Sequence, residues 1–382
     1  MNGLRRWMTR LRVMTQKELL QLLRDTVLIF FTVYAFTVDV FLAGSGVSLS
    51  LNRAALVVYD GDHSQASREF ASRFHEPYFN RVGTLDKPAD TIDYLERGEA
   101  MVALDIPEGF EASLYRGQPT SVQMQIDTTN TVLGLLASSY GQQIAGQFSL
   151  DVAKTQQGLA PDGDVAGPFV LDEHRVWFNP NQKDSWFMSV SELLTVITLF
   201  AMMLPAAAMV REKERGTIEQ LLVSPLSAFQ VMFPKILAMT LVILILTALS
   251  LGLVLKGIFN VPFKGSLVTF FAVTTLYVFT TSGLGLLVAT VARNMAQAGM
   301  LIILIIAPML FLSGAWTPPE AMPDFMRHLM AISPLHYFID ASYGILLKGS
   351  GLLTIAPQLA GMAVLGTLIF MFGLWGFGRQ FG

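Results

Sequence analysis

The sequence predicts a polytopic α-helical membrane protein: six transmembrane helices, with an α/β domain between the first and the second. Three observations carry this reading. The chain of 382 residues is 52% hydrophobic and only 14% charged, with a mean hydropathy of +0.50, whereas a soluble domain carries about 25% charged residues. Long apolar runs recur along it, and about 20 apolar residues suffice to cross a bilayer core. In residues 46–180, by contrast, charges, Gly and Pro return. The chain has no Cys, which excludes disulfides and thiol metal sites, and its five scattered His argue against a His-based metal site. The net charge of −3 names no partner, and no nucleic acid is expected.

Residues 1–25 read as an amphipathic helix on the membrane surface. Arg5, Arg6, Arg10, Arg12, Lys17 and Arg24 accompany an apolar stripe of Trp7, Leu11, Met14, Leu19, Leu22 and Leu23. The first span is 26–45, with Asp39 as the exception inside it. It is too long, and its flank too amphipathic, for a cleavable signal. In the domain that follows, Ala54 to Tyr59 reads as a strand. Ser64 reads as the cap of a helix reaching about Tyr78, with Phe70 and Phe74 on one face. Met101–Leu104 and the alternating Ser121–Ile126 read as further strands, and Thr131 to about Gln157 as a long helix. The remaining spans are 186–209, 229–255, 266–291, 296–311 and 352–377. Residues 313–350 are too polar and too broken by Pro to span, and read as two short helices at or dipping into the outer interface. Gly283, Gly285, Gly44 and Gly46 are candidates for close helix approach, and the Thr and Ser of 266–291 for interhelical packing.

Lys and Arg set the orientation. Six spans put both termini on one side, which carries Arg5, Arg6, Arg10, Arg12, Lys17, Arg24, Arg211, Lys213, Arg215, Lys235, Arg293 and Arg379. The short loops opposite hold Lys256, Lys264, Arg327 and Lys348. The termini are therefore expected in the cytoplasm and residues 46–180 outside.

The stretch 211–226 stands out. It is charged at first and then amphipathic. Ile218, Leu221 and Leu222 share one face of a short helix, Glu219 and Gln220 the other, and Pro225 ends it. Gly216 permits a close turn, Thr217 is placed to cap, and Lys213 reads as a solvated charge whose removal should be mild. The order Glu-x-Glu-x-Gly-Thr-x-Glu-x-Leu-Leu-x-Ser-Pro-Leu at 212–226 resembles the signature of ABC-2 type ABC transporter permeases, in the bacterial drug and small-molecule exporter group with a large domain after the first span. Gly98-Glu99-Ala100, Ile106 to Phe110, Asp127 to Asn130, Ser313-Gly314 with Pro318, Ser333-Pro334-Leu335 and Lys348-Gly349 extend the likeness over nearly the whole chain.

The resemblance implies an inner-membrane permease that exports a drug-like, lipid-like or other small substrate. It implies a separate cytoplasmic ATPase that holds ATP and Mg, a second permease subunit, identical or paralogous, and in some systems a periplasmic adaptor. Residues 211–226 would be the coupling helix on the ATPase, with Glu212, Glu214, Arg215, Gly216, Thr217, Ile218, Glu219, Leu221, Leu222 and Pro225 in contact or shaping it. Glu212, Glu214 and Glu219 would meet basic groups at the rim.

No Walker A, Gly-x-Ser-x-Gly or His-Glu-x-x-His sequence occurs, so no enzyme and no cofactor are expected in this chain. Asp127 reads as a turn residue capping the helix after it. Asp39 and Glu192 are costly in hydrocarbon. Each lies six or seven residues from the outer end of its span, roughly 10 Å deep. That common depth makes them a candidate substrate or ion pathway for a cation, a proton or a cationic substrate. Alternatively, each reaches interfacial water or is neutral. The competing function is a membrane scaffold or sensor whose outer domain binds a partner without transport.

Overall fold

The computed structural model describes residues 3–46, 51–158, 178–179, 183–216, 228–315, 319 and 322–381. The chain forms two units, Met1–Val47 with Val176–Gly382, and Ser48–Arg175.

The helical unit begins with α1 (Gly3–Leu23) and continues as α2 (Thr26–Gly46), α7 (Asp184–Glu214) and α8 (Ala228–Ser250, running on as a π-helical segment to Ile258). Then come α9 (Leu267–Val291), α10 (Met295–Phe311), α11 (Asp324–Met330), α12 (Pro334–Tyr343, π-helical on to Lys348) and α13 (Leu352–Phe381). Five helices are long and apolar enough to cross a membrane, and α10 is a shorter apolar helix of 17 residues.

Helix α7 is the axis of this unit. Val190, Leu193, Leu194, Ile197 and Ala201 on it are fully buried, against Phe36 and Val40 of α2 and Tyr277 and Val278 of α9. The approach of α9 depends on Gly285, where a Cβ would stand 2.2 Å from the Met202 carbonyl oxygen. The hydroxyls on α9 serve packing. Ser282 Oγ donates to Ala201 O of α7 at 3.1 Å, Tyr277 and Thr198 hydroxyls meet at 2.9 Å, and Thr274 and Thr281 bond their own helix. The 313–350 stretch does hold two short helices. The second is internal: Leu335, Phe338, Ile339, Ala341, Ile345 and Leu346 are all buried, and the Phe338 ring stacks on Tyr277 at 3.9 Å.

The other unit is a four-stranded mixed sheet of order β2-β1-β3-β4, with β1 (Ala54–Asp60), β2 (Phe79–Leu85), β3 (Val102–Ile106) and β4 (Gln123–Ile126). Strand β1 pairs in parallel with β2 and β3, and β4 is antiparallel to β3. Its helices are α3 (Gln65–Ser72), α4 (Asp90–Glu96), α5 (Phe110–Tyr115) and α6 (Thr131–Gln156). Leu56, Val58, Val102, Leu104 and Ile106 face Phe70, Phe110 and Phe148 on one side of the sheet. Val57 and Ala103 face Tyr94 and Leu95 of α4 on the other. Both faces are covered, which is why β1 reads as an uninterrupted apolar run.

Three expectations change here. The helix from Ser64 stops at Ser72 rather than near Tyr78, short of Pro77. Strand β2 was not expected, because only Phe79 and Leu85 at its ends are buried along an edge strand. The cap of α6 is Asn130, whose Oδ1 accepts from Leu133 N, while Asp127 closes the preceding turn on Thr129.

Candidate functional site

The last turns of α7 form a foot that several elements grip. Helix α7 has 31 residues, roughly 46 Å at 1.5 Å per residue, well beyond a hydrocarbon core of about 30 Å. Residues 211–214, expected in the loop, are thus the final turn of this helix. Gly216 ends it: its φ is +66°, a left-handed conformation that glycine adopts without penalty, and its N–H donates to Lys213 O at 3.1 Å.

Four charges meet inside the foot. Lys235 Nζ of α8 lies 2.7 Å from Glu18 Oε1 of α1 and 2.8 Å from Glu212 Oε1 of α7. Lys17 Nζ lies 2.6 Å from the same Glu212 oxygen and 3.3 Å from Glu18. The side chains of Lys235, Glu18 and Glu212 are 2%, 2% and 4% exposed, so their charges are stable only as a set. Two cations match two anions, and the cluster is neutral. Burial works against the Lys17 ammonium, but the Glu212 and Glu18 carboxylates outweigh it and hold its pKa above the ordinary value.

Further contacts surround this cluster. Arg211 pairs with Asp25, and the same Asp25 accepts from Leu28 N at 3.0 Å and so caps α2. Lys213 Nζ donates to the carbonyls of Ala289, Thr290 and Ala292 at 2.5, 2.7 and 3.3 Å, closing the C-terminal end of α9. Glu214 Oε1 accepts from Met295 N at 3.0 Å, at the start of α10. The final turn of α7 therefore holds α1, α2, α8, α9 and α10.

This placement corrects the expectation for Glu212. Its carboxylate faces inward, so it is a strut of the foot and not a rim group. Lys213 is likewise an anchor rather than a solvated charge. Glu214, Arg215 and Gly216 are exposed. Thr217, Ile218, Glu219, Leu221, Leu222 and Pro225 lie outside the described residues.

The second polar site is the acid pair. Asp39 closes a π-helical turn of α2 (Ala35–Asp39), and its carboxylate lies close enough to that of Glu192, near the start of α7, for the two like charges to interact. Such turns are frequent at functional sites. Both residues are half-buried, and among the described residues neither forms an ion pair with Lys or Arg. Among the described residues there is also no group of three or more His, Asp or Glu side chains placed to hold a metal.

Sequence reasoning brought Asp39 and Glu192 together from their depth, and missed Lys17, Glu18 and Lys235 as one site. Two signals for that cluster were present. Glu18 interrupts the apolar stripe Leu11, Met14, Leu22 at helical spacing, and Lys235 stands alone in an apolar run. A charge on a buried face calls for a partner.

The comparisons agree with this architecture. A family model described as ABC-2 family transporter protein matches residues 26–375. The inner membrane transport permease YhhJ of Escherichia coli (strain K12) is 34% identical, over 96% of each chain. The probable multidrug ABC transporter permease YbhR of the same organism is 27% identical, over 90% of this chain and 91% of its own. ABC transporter G family member 20 of Dictyostelium discoideum is 22% identical over 93% of this chain, which spans 48% of that longer protein. The chain is therefore a multi-pass membrane protein and a permease, and it belongs to the ABC-2 family of transporters.

Proposed function

We propose that this permease is the membrane half of an ATP-driven exporter of small, drug-like or lipid-like molecules, worked by a separate cytoplasmic ATPase that binds ATP and Mg. The observation that carries the coupling step is the foot of α7. The loop from Gly216 to Leu226 springs from a turn that is fixed at once to five other helices. A push on that loop would therefore displace the bundle as a body and would not be absorbed locally. The apolar face of Ile218, Leu221 and Leu222 would seat on the ATPase, with Glu214, Arg215 and Glu219 around it. The small-molecule reading is supported by the multidrug naming of the YbhR relative.

In this reading α10 is a sixth span, both termini are cytoplasmic, and residues 46–180 lie outside. Two such subunits pair, and an adaptor meets the outer domain. The charge asymmetry of the loops supports the orientation. Asp39 and Glu192 form a polar station on the substrate or ion path. Two carboxylates side by side repel, and a cation placed between them relieves that repulsion, which suits the pair to an ion or a cationic substrate.

The test is Leu221→Ala and Leu222→Ala, read as ATPase co-purification and substrate-stimulated hydrolysis. Truncating a buried interface anchor costs about 2 kcal/mol or more, so both variants should release or uncouple the ATPase while membrane insertion persists. Wild-type binding and stimulation in both would sink the coupling assignment and favour a scaffold. Orientation is tested separately, because the chain has no native Cys. Cysteines at Ser64 and Thr120 should react with an impermeant reagent outside intact cells, and one at Thr217 should not.

A further inference from the structure

The end of α1 and the foot of α7 line a groove of about 790 Å³, which shares only Arg215 with the proposed coupling contact. Lys17, Arg24, Arg211 and Arg215 line it against one carboxylate, Asp25, and Val27 lines it too. Arg211 is taken by Asp25, and Lys17 by Glu212 and Glu18. Arg24 and Arg215 are exposed and form no ion pair among the described residues. The groove thus carries two guanidiniums in excess.

We propose that this groove binds the headgroup of an anionic phospholipid of the cytoplasmic leaflet. Guanidinium forks match phosphate oxygens in charge and geometry. The apolar surroundings argue for a lipid rather than a free anion. Leu20 and Leu23 at the end of α1, and Val27, Phe30 and Phe31 at the start of α2, are 56%, 64%, 67%, 63% and 57% exposed. Leu20 and Val27 line the groove itself, so the cations open onto a strip on which acyl chains can lie. A phosphate ion or an acidic peptide would leave that strip uncovered. The N–H groups at the start of α2 are not the attraction, since Asp25 already caps them. The site rests on α2 being the first span with α1 at its cytoplasmic end. It goes beyond the transport reading by placing a specific lipid requirement beside the loop that meets the ATPase.

The test uses the full chain, without ATPase, in nanodiscs of phosphatidylcholine with a quarter phosphatidylglycerol. The readout is the lipid that stays bound in native mass spectrometry. Wild type should retain phosphatidylglycerol in preference. Arg24→Ala with Arg215→Ala should weaken that preference about 25-fold, five-fold for each cation, which corresponds to about 1 kcal/mol per basic residue near an anionic surface. Arg24→Lys with Arg215→Lys keeps the charges and should retain most of it, which separates binding from folding. Arg53→Ala, in the α/β unit, should change nothing. Millimolar inorganic phosphate should leave the lipid in place, and displacement by phosphate would make this a plain anion site and overturn the proposal. An unchanged preference in the double alanine variant would overturn it as well. So would wild type without lipid preference, combined with loss of ATPase binding in the double alanine variant, because the groove would then be a protein contact. Cysteine labelling tests the orientation independently, so a failure there is distinguishable from a failure of the lipid site.

Discussion

The foot of α7 and the Asp39–Glu192 pair are two answers to one problem, that of holding charge where water is scarce. At the foot, two lysines meet two glutamates and the sum is zero. Higher on α7, one acid meets another acid, and among the described residues neither forms an ion pair with a cation. In the matched set Lys235, Glu18 and Glu212 are buried, and Lys17 closes it from the exposed side. The unmatched pair is only half-buried. On the proposed reading, the difference separates a group kept for architecture from one placed on the transport path. The first should fail in stability when altered, the second in transport.

The largest effect should come from breaking the matched set. Lys235→Met leaves Glu18 and Glu212 with one cation between them, and removing one partner of a buried pair costs about 3–5 kcal/mol. The expected result is a lower melting temperature in detergent and an α1 that proteases cleave early. Adding Glu18→Met restores the balance, with Lys17 still on Glu212, and should recover most of the loss. A Lys235→Met protein that melts like wild type would mean that the foot is not a clamp.

Lys213→Ala should rank next. Its ammonium bonds three carbonyls at the end of α9, and hydrogen bonds to a charged group contribute about 1.5–3 kcal/mol. The loss should appear as faster hydrogen exchange at residues 288–292, with exchange in α1 unchanged. Equal deprotection of α1 would show that the foot yields as one piece and that its periphery and cluster are not separable.

At the acid pair the sign reverses. Asp39→Asn and Glu192→Gln relieve the repulsion between two neighbouring acids, so folding should hold or improve while transport falls. Contacting residues couple by about 0.5–3 kcal/mol, so the double variant should lose less than the sum of the singles. Full transport by the double variant would remove the pair from the pathway and erase the contrast with the foot.

How much of this the sequence disclosed depended on the range of the signal. Long apolar helices follow from local hydropathy, which is why α2, α8, α9 and α13 lie close to their expected limits, while α7 runs on to Glu214. Strands β1 and β3 were legible because both of their faces are buried. The edge strand β2 and the short helices α4 and α5 carry little periodic pattern. The acid pair was legible because each residue breaks an apolar run at the same depth. The foot cluster was not read, since its partners Lys17, Glu18, Glu212 and Lys235 are some 200 positions apart. Glu212 carries the same charge whether it faces a partner protein or a lysine of its own chain. Only packing decides between them.

A third kind of carboxylate calibrates the comparison, one with neither cation nor acid beside it. Asp62, in the α/β unit, accepts from Gly109 N at 2.7 Å and from Glu111 N at 2.9 Å, at the start of α5. The Ser64 side chain first, and these backbone N–H groups with it, hold its carboxyl below the ordinary carboxylate pKa. A depressed folded-state value means that the unfolded chain takes up the proton first. Asp62 therefore contributes stability above the unfolded pKa, near 3.9, and that contribution is lost as pH falls through the lower folded value. The group is partly exposed and solvent screens it, so this should be the smallest of the effects. Melting of wild type and Asp62→Ala should differ at pH 7, and the gap should close as pH falls below about 4. If the gap is constant down to pH 3, the side chain acts through packing and not through its charge. Hydrogen bonds alone would then be insufficient to hold a partly exposed carboxylate ionised here, and the buried Lys235 of the foot would supply what neutral donors cannot.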